Sequence, residues 1–283
     1  MGIFDRCLLA SDVDETLVSQ GVIPEKNIGK IEWFIKEGGI FALSSGRSKE
    51  ALLPILDYID KSNIGPSAVL NGGLIYDFAK EEVIAEALLG DKDKLLAKYV
   101  VENMPDVSFE VHTKDICYVP IRTLETDIHE EYEKITPVFA SLHEILDKDW
   151  LKVLFIPGST ERRDELMRVG AEICGDTSDF NDSTANIYGV VKKYVEQMPK
   201  GVSKGQALNR LREVLQIKPG GLFGIGDYYH DVAMLKEADI PAVTAGAPDD
   251  LKQMAKYITC SCRDGAVADF IDYLANQISK QKL

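Results

Sequence analysis

The stretch "RCLLASDVDETLV", Arg6 to Val18, decides how this chain is read. Its short apolar run, Cys7 to Ala10, has the length and composition of a buried strand. The run leads almost directly into Asp12, Asp14 and Glu15. Acids are seldom buried without a partner, so carboxylates at the end of an interior strand need a reason. One could cap a helix. Two at alternate positions point to something positive, a metal ion or a shared proton, that holds them together.

Outward from that stretch the chain alternates strand and helix. "NIGKIEWFIKEGG" places Ile28, Ile31, Phe34 and Ile35 on one helical face and stops at Gly38-Gly39. "IFALSSGR" reads as a second buried strand with a polar end, and "EALLPILDYID" as a helix. "SAVLNGGLIYDF" is a strand, an Asn-Gly-Gly turn and an extended piece. The last part resumes the rhythm. In "SKGQALNRLREVLQI" Ser203 is the N-cap of a helix whose apolar face is Ala207, Leu208, Leu211, Val214 and Leu215. "GGLFGIGD" is a strand ending in an acid, "HDVAMLKEA" a helix and "IPAVTAG" a strand. "DDLKQMAKYI" and "AVADFIDYLANQI" are read as helices.

The middle differs in character. It has a charged helix at "GDKDKLLAKYV", then "DICYVPIR", a helix through "DIHEEYEKITPVFASL" and the strand "LKVLFI". A helix near "ERRDELMRVGAEI" and the segment "ANIYGVVKKYVEQM" complete it. Such alternation can build its own sheet. The expected organisation is therefore one α/β domain from residues 1–87 and 198–283, with a second α/β domain, 88–197, inserted into it.

With 283 residues the chain is long enough for a substantial core, and 45% hydrophobic and 28% charged residues are ordinary for a globular protein. No apolar run approaches the roughly 20 residues of a membrane-spanning helix. The opening "MGIFDRCLLASD" carries an early acid and too short an apolar stretch for a signal peptide, so the expected location is cytoplasmic. Five scattered cysteines, an odd number, point to reduced thiols. Cys260 and Cys262 form a C-x-C that no second pair or nearby histidine completes into a zinc site. A formal net charge of −14 argues against nucleic-acid and anionic-membrane partners. An anionic substrate would then need local donors to overcome a repulsive field.

Four strand ends are polar: Asp12-x-Asp14, Ser44-Ser45-Gly46-Arg47, Asn71-Gly72-Gly73 and Gly226-Asp227. In an open parallel sheet, ligands bind beyond the carboxyl ends of the strands at the topological switch point, so these groups are expected to share one crevice.

Asp12-Val13-Asp14-Glu15-Thr16-Leu17, Ser44-Ser45-Gly46-Arg47, Ser203-Lys204-Gly205 and Gly226-Asp227-Tyr228-Tyr229-His230-Asp231 occur in that order. They resemble the four signature motifs of the haloacid dehalogenase (HAD) phosphatases. "VLNGGLIYD", "GVSKGQAL" and "DVAMLKEA" further resemble the Cof-type sugar-phosphatase branch. The resemblance implies a Rossmann-like parallel-sheet core with an inserted α/β cap that closes over it. It also implies a Mg²⁺-dependent phosphoric monoester hydrolase for a small phosphorylated metabolite, a sugar phosphate by preference. By that likeness Asp12 is the nucleophile that forms an aspartyl-phosphate, and Asp14 the general acid and base. Mg²⁺ is held by the Asp12 carboxylate, the Asp14 backbone carbonyl and Asp227, with Asp231 supporting it from behind. Ser45 hydrogen-bonds a phosphoryl oxygen, Lys204 neutralises nucleophile and phosphate, and Gly46, Asn71 and His230 border the phosphate.

Two residues depart from the pattern: Glu15 stands where this branch usually has glycine, and His230 where asparagine is usual. Thr16 is expected to bond local backbone in its turn and Arg47 to make a structural ion pair. His112, His129 and His143 lie outside every motif and read as surface or packing residues. Lys114, Arg122, Arg162, Arg163, Lys192 and Lys193 are the candidate anion contacts of the inserted domain. Two other readings stand beside the phosphatase: a phosphohexomutase with the same kind of cap, and a non-catalytic protein that binds a phosphorylated metabolite.

Overall fold

A computed structural model describes residues 2–187 and 189–281. Every residue of the strand Leu8–Ser11 is fully buried. A strand points successive side chains to opposite faces, so this requires cover on both faces and neighbours on both edges. The edge partners are Ile40–Leu43 and Leu222–Gly226, both parallel, with Ala10 between Ala42 and Gly224. Ile240–Val243 pairs with Leu222–Gly226, and Tyr257–Ile258 completes a five-stranded parallel sheet. From the opening strand the chain steps one way to Ile40–Leu43 and later the other way through Leu222–Gly226. The switch point therefore lies at the carboxyl ends of Leu8–Ser11 and Leu222–Gly226, the positions of Asp12 and Asp227.

One face of this sheet, with Leu8, Ala10 and Ala42, packs against Ala207, Leu208 and Leu211 of the helix Lys204–Val214 and Met234 of Val232–Glu237. The helix Glu25–Lys36 lies against Ile40–Leu43 and the C-terminal helix Ala266–Gln281. Fully buried Asn27 ties them to the opening loop, donating to the Leu17 carbonyl (3.3 Å) and accepting from the Ala268 amide (2.9 Å). A small sheet of Ser67–Val69, Leu74–Asp77 and Glu82–Glu86 joins through a parallel bridge between Ser44 and Ala68.

The chain divides into two compact units. The first holds the residues up to Gly46, Leu52–Ala85 and the chain from Ser203 on; the second holds Arg47–Ala51 and Glu86–Val202. The second has a six-stranded sheet in the order Ser178–Ile187, Val190–Pro199, Lys152–Pro157, Val107–His112, Cys117–Val119, Val138–Phe139. Its pairings are antiparallel except the last. One sheet face carries Val107, Phe109, Val111, Val153, Phe155 and Val195 against Leu96, Val100, Leu166 and Val169 of the helices Lys94–Asn103 and Thr160–Cys174. The fold is thus an α/β one, a Rossmann-like parallel-sheet core whose sequence is interrupted by an α/β insertion.

Several local readings change. The helix expected through "DIHEEYEKITPVFASL" ends at Glu133, with Lys134 left-handed (φ 56°), and Val138–Phe139 is extended. Pro137 removes a backbone donor and disfavours helix just before it. The helix expected over "DDLKQMAKYI" ends at Met254, because Tyr257 and Ile258 leave it to pair with Ala242 and Val243. Val214 is 42% exposed and leaves the expected apolar face. "ANIYGVVKKYVEQM" lies in the long hairpin of Ser178–Ile187 and Val190–Pro199; Tyr188 within it lies outside the described residues.

Candidate active site

Asp12 follows the opening strand and is held there by its amide, which donates to the Ile225 carbonyl (2.9 Å). Its side chain is buried, 2% exposed. Lys204 begins its helix, where Ser203 caps by accepting from the Gln206 amide (3.2 Å). The helix aims Lys204 Nζ inward, 2.5 Å from Asp12 Oδ1 and 2.7 Å from Asp231 Oδ1. Burial opposes the charge on Asp12, but the Lys204 ammonium and His230 together outweigh it and hold that carboxyl well below the usual range. Asp12 Oδ2 is buried with no hydrogen-bond partner.

Asp227 follows the neighbouring strand. Asp231 is fully buried, and its Oδ2 accepts from the amides of Asp227 (3.0 Å) and Tyr228 (3.3 Å). With Oδ1 on Lys204, both its oxygens carry hydrogen bonds, so Asp231 positions the loop and the lysine. Gly226 makes this possible, since a Cβ there would lie 2.4 Å from Asp231 Cγ. Thr16, read from sequence as a local turn bond, is fully buried, and its hydroxyl donates to Asp227 Oδ1 (3.3 Å). That partner is far away in sequence, and no local signal marks it.

His230 Nε2 stands 3.7 Å from Asp12 Oδ1 and 3.5 Å from Asp231 Oδ2, on the side of Asp12 that Lys204 occupies. Burial and the lysine work against its protonation; Asp12 and Asp231 prevail and raise it above its ordinary value. Asp14 is half-buried, and its carboxylate stands outside the Asp12, Asp227, Asp231 group; Glu15 is exposed with φ 55°.

The second and third strand ends join the same loop cluster. Ser45 is buried; its amide donates to the Ala68 carbonyl and its carbonyl accepts from the Asn71 amide, both at 2.9 Å. A Cβ on Gly46 would meet Asn71 Oδ1 at 3.0 Å. Asn71 is left-handed (φ 55°), and Gly72 (φ 96°) passes so close to Ser203 that a Cβ would sit 2.6 Å from its carbonyl oxygen. The Asn71 turn is thereby pressed onto the start of the Lys204 helix. Tyr228 and Tyr229 are half exposed, and the Tyr229 hydroxyl donates to Asp250 (3.2 Å).

The donor set suits a divalent cation. Asp12, Asp227, His230 and Asp231 offer atoms all within 4.8 Å of one another, and Lys204 balances only one of three acids. Burial first, then the charges of Asp12 and Asp231, push Asp227 up to about 7, a crowding that a cation relieves.

The family model for haloacid dehalogenase-like hydrolases matches residues 9–271. The chain belongs to that family. It is an enzyme of the phosphoric monoester hydrolase kind within it. A Streptococcus pyogenes protein provisionally named a phosphatase is 28% identical over 93% of this chain and 96% of its own length. The 5-amino-6-(5-phospho-D-ribitylamino)uracil phosphatase YwtE of Bacillus subtilis is 24% identical over 95% of this chain and 98% of its own. Among solved structures, a Thermotoga maritima protein superposes with a TM-score of 0.81 at 23% identity, covering 94% of this chain and 97% of that one. The subclass IIB sugar phosphatase BT4131 does so at 0.79 and 19% identity, over 95% and 99%. At such identities the HAD likeness to these structures speaks for the fold.

In the second unit five of the six candidate anion contacts are engaged locally. Arg122 bonds Asp127 (2.8 Å), Arg162 bonds Asp106 and Glu165, and Arg163 bonds Asp164 and Asp182. Lys192 bonds Glu125 (2.6 Å) and Lys193 bonds Thr160 (3.0 Å). Arg47 lies 3.5 Å from Glu133. His143 is exposed, and His112 and His129 are buried, both around the carboxylate of Glu110.

Proposed function

We propose that this enzyme is a cytoplasmic Mg²⁺-dependent phosphatase that hydrolyses a small sugar or polyol phosphate through an aspartyl-phosphate on Asp12. The observation that carries the reading is the divided state of Asp12: Oδ1 is fixed by Lys204, and Oδ2 is buried and uncommitted. A nucleophilic carboxylate needs that arrangement, ionised, oriented and with one oxygen still available.

An Asp12 oxygen attacks phosphorus in line, and the bond from phosphorus to the leaving oxygen breaks. Asp14 gives that oxygen a proton and departs as carboxylate. Asp14 then takes a proton from water; the water oxygen bonds phosphorus, the Asp12–phosphorus bond breaks and inorganic phosphate leaves. Lys204 compensates the charge collected on Asp12 and the phosphoryl group, while Ser45, the amides near Gly46, Asn71 and His230 orient the phosphoryl oxygens. Asp12, Asp227 and the Asp14 carbonyl would hold Mg²⁺, which supplies counter-charge to the phosphate when bound.

The substrate class is supported by names among the relatives: a sugar phosphatase shares the fold, and two Bacillus subtilis relatives, 24% identical, are named for a substrate with its phosphate on a ribityl chain. No helix among the described residues is long and apolar enough to cross a membrane, and all five cysteines are free thiols, in keeping with a reducing compartment.

The test is a turnover screen across sugar phosphates, polyol phosphates, nucleotides and phosphorylated cofactors, with and without Mg²⁺. Mg²⁺-dependent release of phosphate from sugar or polyol phosphates, and weak release from nucleotides, is the expected result. Isomerisation of one sugar phosphate, stimulated by a sugar bisphosphate, would replace the phosphatase with a mutase.

A further inference from the structure

The second unit holds a buried group that the phosphatase chemistry does not use. Glu110 and His112 are alternate residues of Val107–His112 and share a sheet face; Cys117 stands directly across from His112 on the next strand. They are 1%, 6% and 4% exposed. Glu110 Oε2 lies 3.4 Å from His112 Nε2 and 3.8 Å from Cys117 Sγ. His129, from the helix Leu124–Glu133, bonds the other oxygen, Oε1, at 2.8 Å. Ala51 and Ile135 pack with Cys117, and the Lys152–Glu196 pair (2.7 Å) lies on the same face.

We propose that Glu110, His112 and Cys117 form a zinc site, separate from the catalytic carboxylates. The three donor atoms lie within 4.8 Å of one another. A tetrahedral zinc spaces a carboxylate oxygen from an imidazole nitrogen by about 3.4 Å and from a thiolate sulphur by about 3.6 Å, given its ordinary bond lengths. The two separations from Glu110 need little adjustment to meet these edges. Thiolate, imidazole and carboxylate together suit zinc and ill suit magnesium. Charge fits as well: Zn²⁺ with Glu110 carboxylate and Cys117 thiolate sums to zero, which a buried site favours. Binding breaks the Cys117 S–H bond, releases that proton and forms the zinc–sulphur bond. His129 then orients the Glu110 carboxylate, the supporting bond that metal-bound acids usually carry. Three protein ligands leave a fourth position for water. The ion would clasp the hairpin of Val107–His112 and Cys117–Val119 beneath the helix Leu124–Glu133.

The test uses the full-length protein, produced in zinc-supplemented medium and dialysed against excess Mg²⁺. Elemental analysis should find one zinc per chain, retained in the Asp12→Asn, Asp227→Asn double variant and lost in Cys117→Ser. Protein produced with cobalt should show a near-ultraviolet thiolate-to-cobalt band that Cys117→Ser lacks. The wild-type spectrum needs no variant to fold. A wild type with neither zinc nor that band, or a Cys117→Ser protein that keeps its zinc, overturns the site.

Discussion

The ammonium of Lys204 lies between two fully enclosed carboxylates, 2.5 Å from Asp12 and 2.7 Å from Asp231. Burying one cation between two acids is tolerable only while all three remain. Lys204→Met keeps the volume and removes the charge, so Asp12 and Asp231 face each other without compensation. The expected cost is about 3–5 kcal/mol of stability, with kcat lower by about 10²–10³-fold or more. Urea denaturation and steady-state turnover measure the two effects. A Lys204→Met protein of wild-type stability would show that this triad does not organise the core.

Thr16 reaches Asp227 across the switch point of the sheet. Thr16→Val preserves shape and deletes the donor, leaving Asp227 free to turn. Supporting bonds of this kind are worth about 10–100-fold in metal affinity, so the Mg²⁺ concentration for half-maximal activity should rise by about that factor. Binding of Mn²⁺, followed by paramagnetic resonance, should weaken in parallel. Unchanged affinity in both assays would leave Thr16 as turn structure only.

Two glycines should respond in opposite directions. Gly226→Ala drives a methyl to 2.4 Å from Asp231 Cγ, which cannot retreat without releasing Lys204. A loss of about 1–3 kcal/mol from overpacking is expected, with activity falling alongside. Gly29 lies inside the helix Glu25–Lys36, and a Cβ there meets nothing within 4 Å. Gly29→Ala should stabilise by about 0.5–1 kcal/mol. Thermal melts of both variants check the pair.

The thiols should be nearly inert in the folded protein. Burial pushes Cys174 up to about 11, and burial together with Glu15, Asp227 and Asp12 pushes Cys262 up to about 12. A raised thiol pKa means the unreactive protonated form persists to higher pH, so near pH 8 little thiolate is present. Cys260, the most accessible of the five cysteines, should react first with an aromatic disulfide reagent, and all five should react after denaturation. Cys262 reacting ahead of Cys260 would contradict this ordering.

What the sequence displays of this molecule follows from how locally each feature is encoded. Asp12, Ser45, Lys204 and Asp227 each sit where an apolar run meets a turn or a helix begins, so position and neighbourhood can be read together. The bond from Thr16 to Asp227 spans 211 residues and leaves no local trace. Ser108, Glu110 and His112 share the polar face of Val107–His112, and tertiary cover, which leaves no local trace, buries that face. Tyr257 and Ile258 continue an apparent helical pattern, yet the free edge of Ile240–Val243 draws them into the sheet. Local propensity yields there to strand pairing.

In the proposed mechanism Asp12 carries the phosphoryl group, and everything else at the site serves that step. It is tested most directly by quenching the enzyme with acid during turnover of a good substrate and mapping the phosphorylated peptide by mass spectrometry. An acid-stable, base-labile phosphate is expected on the peptide containing Asp12, absent from a folded and inactive Asp12→Asn protein. Steady turnover by Asp12→Asn, or a phosphate trapped on any other residue, would contradict it.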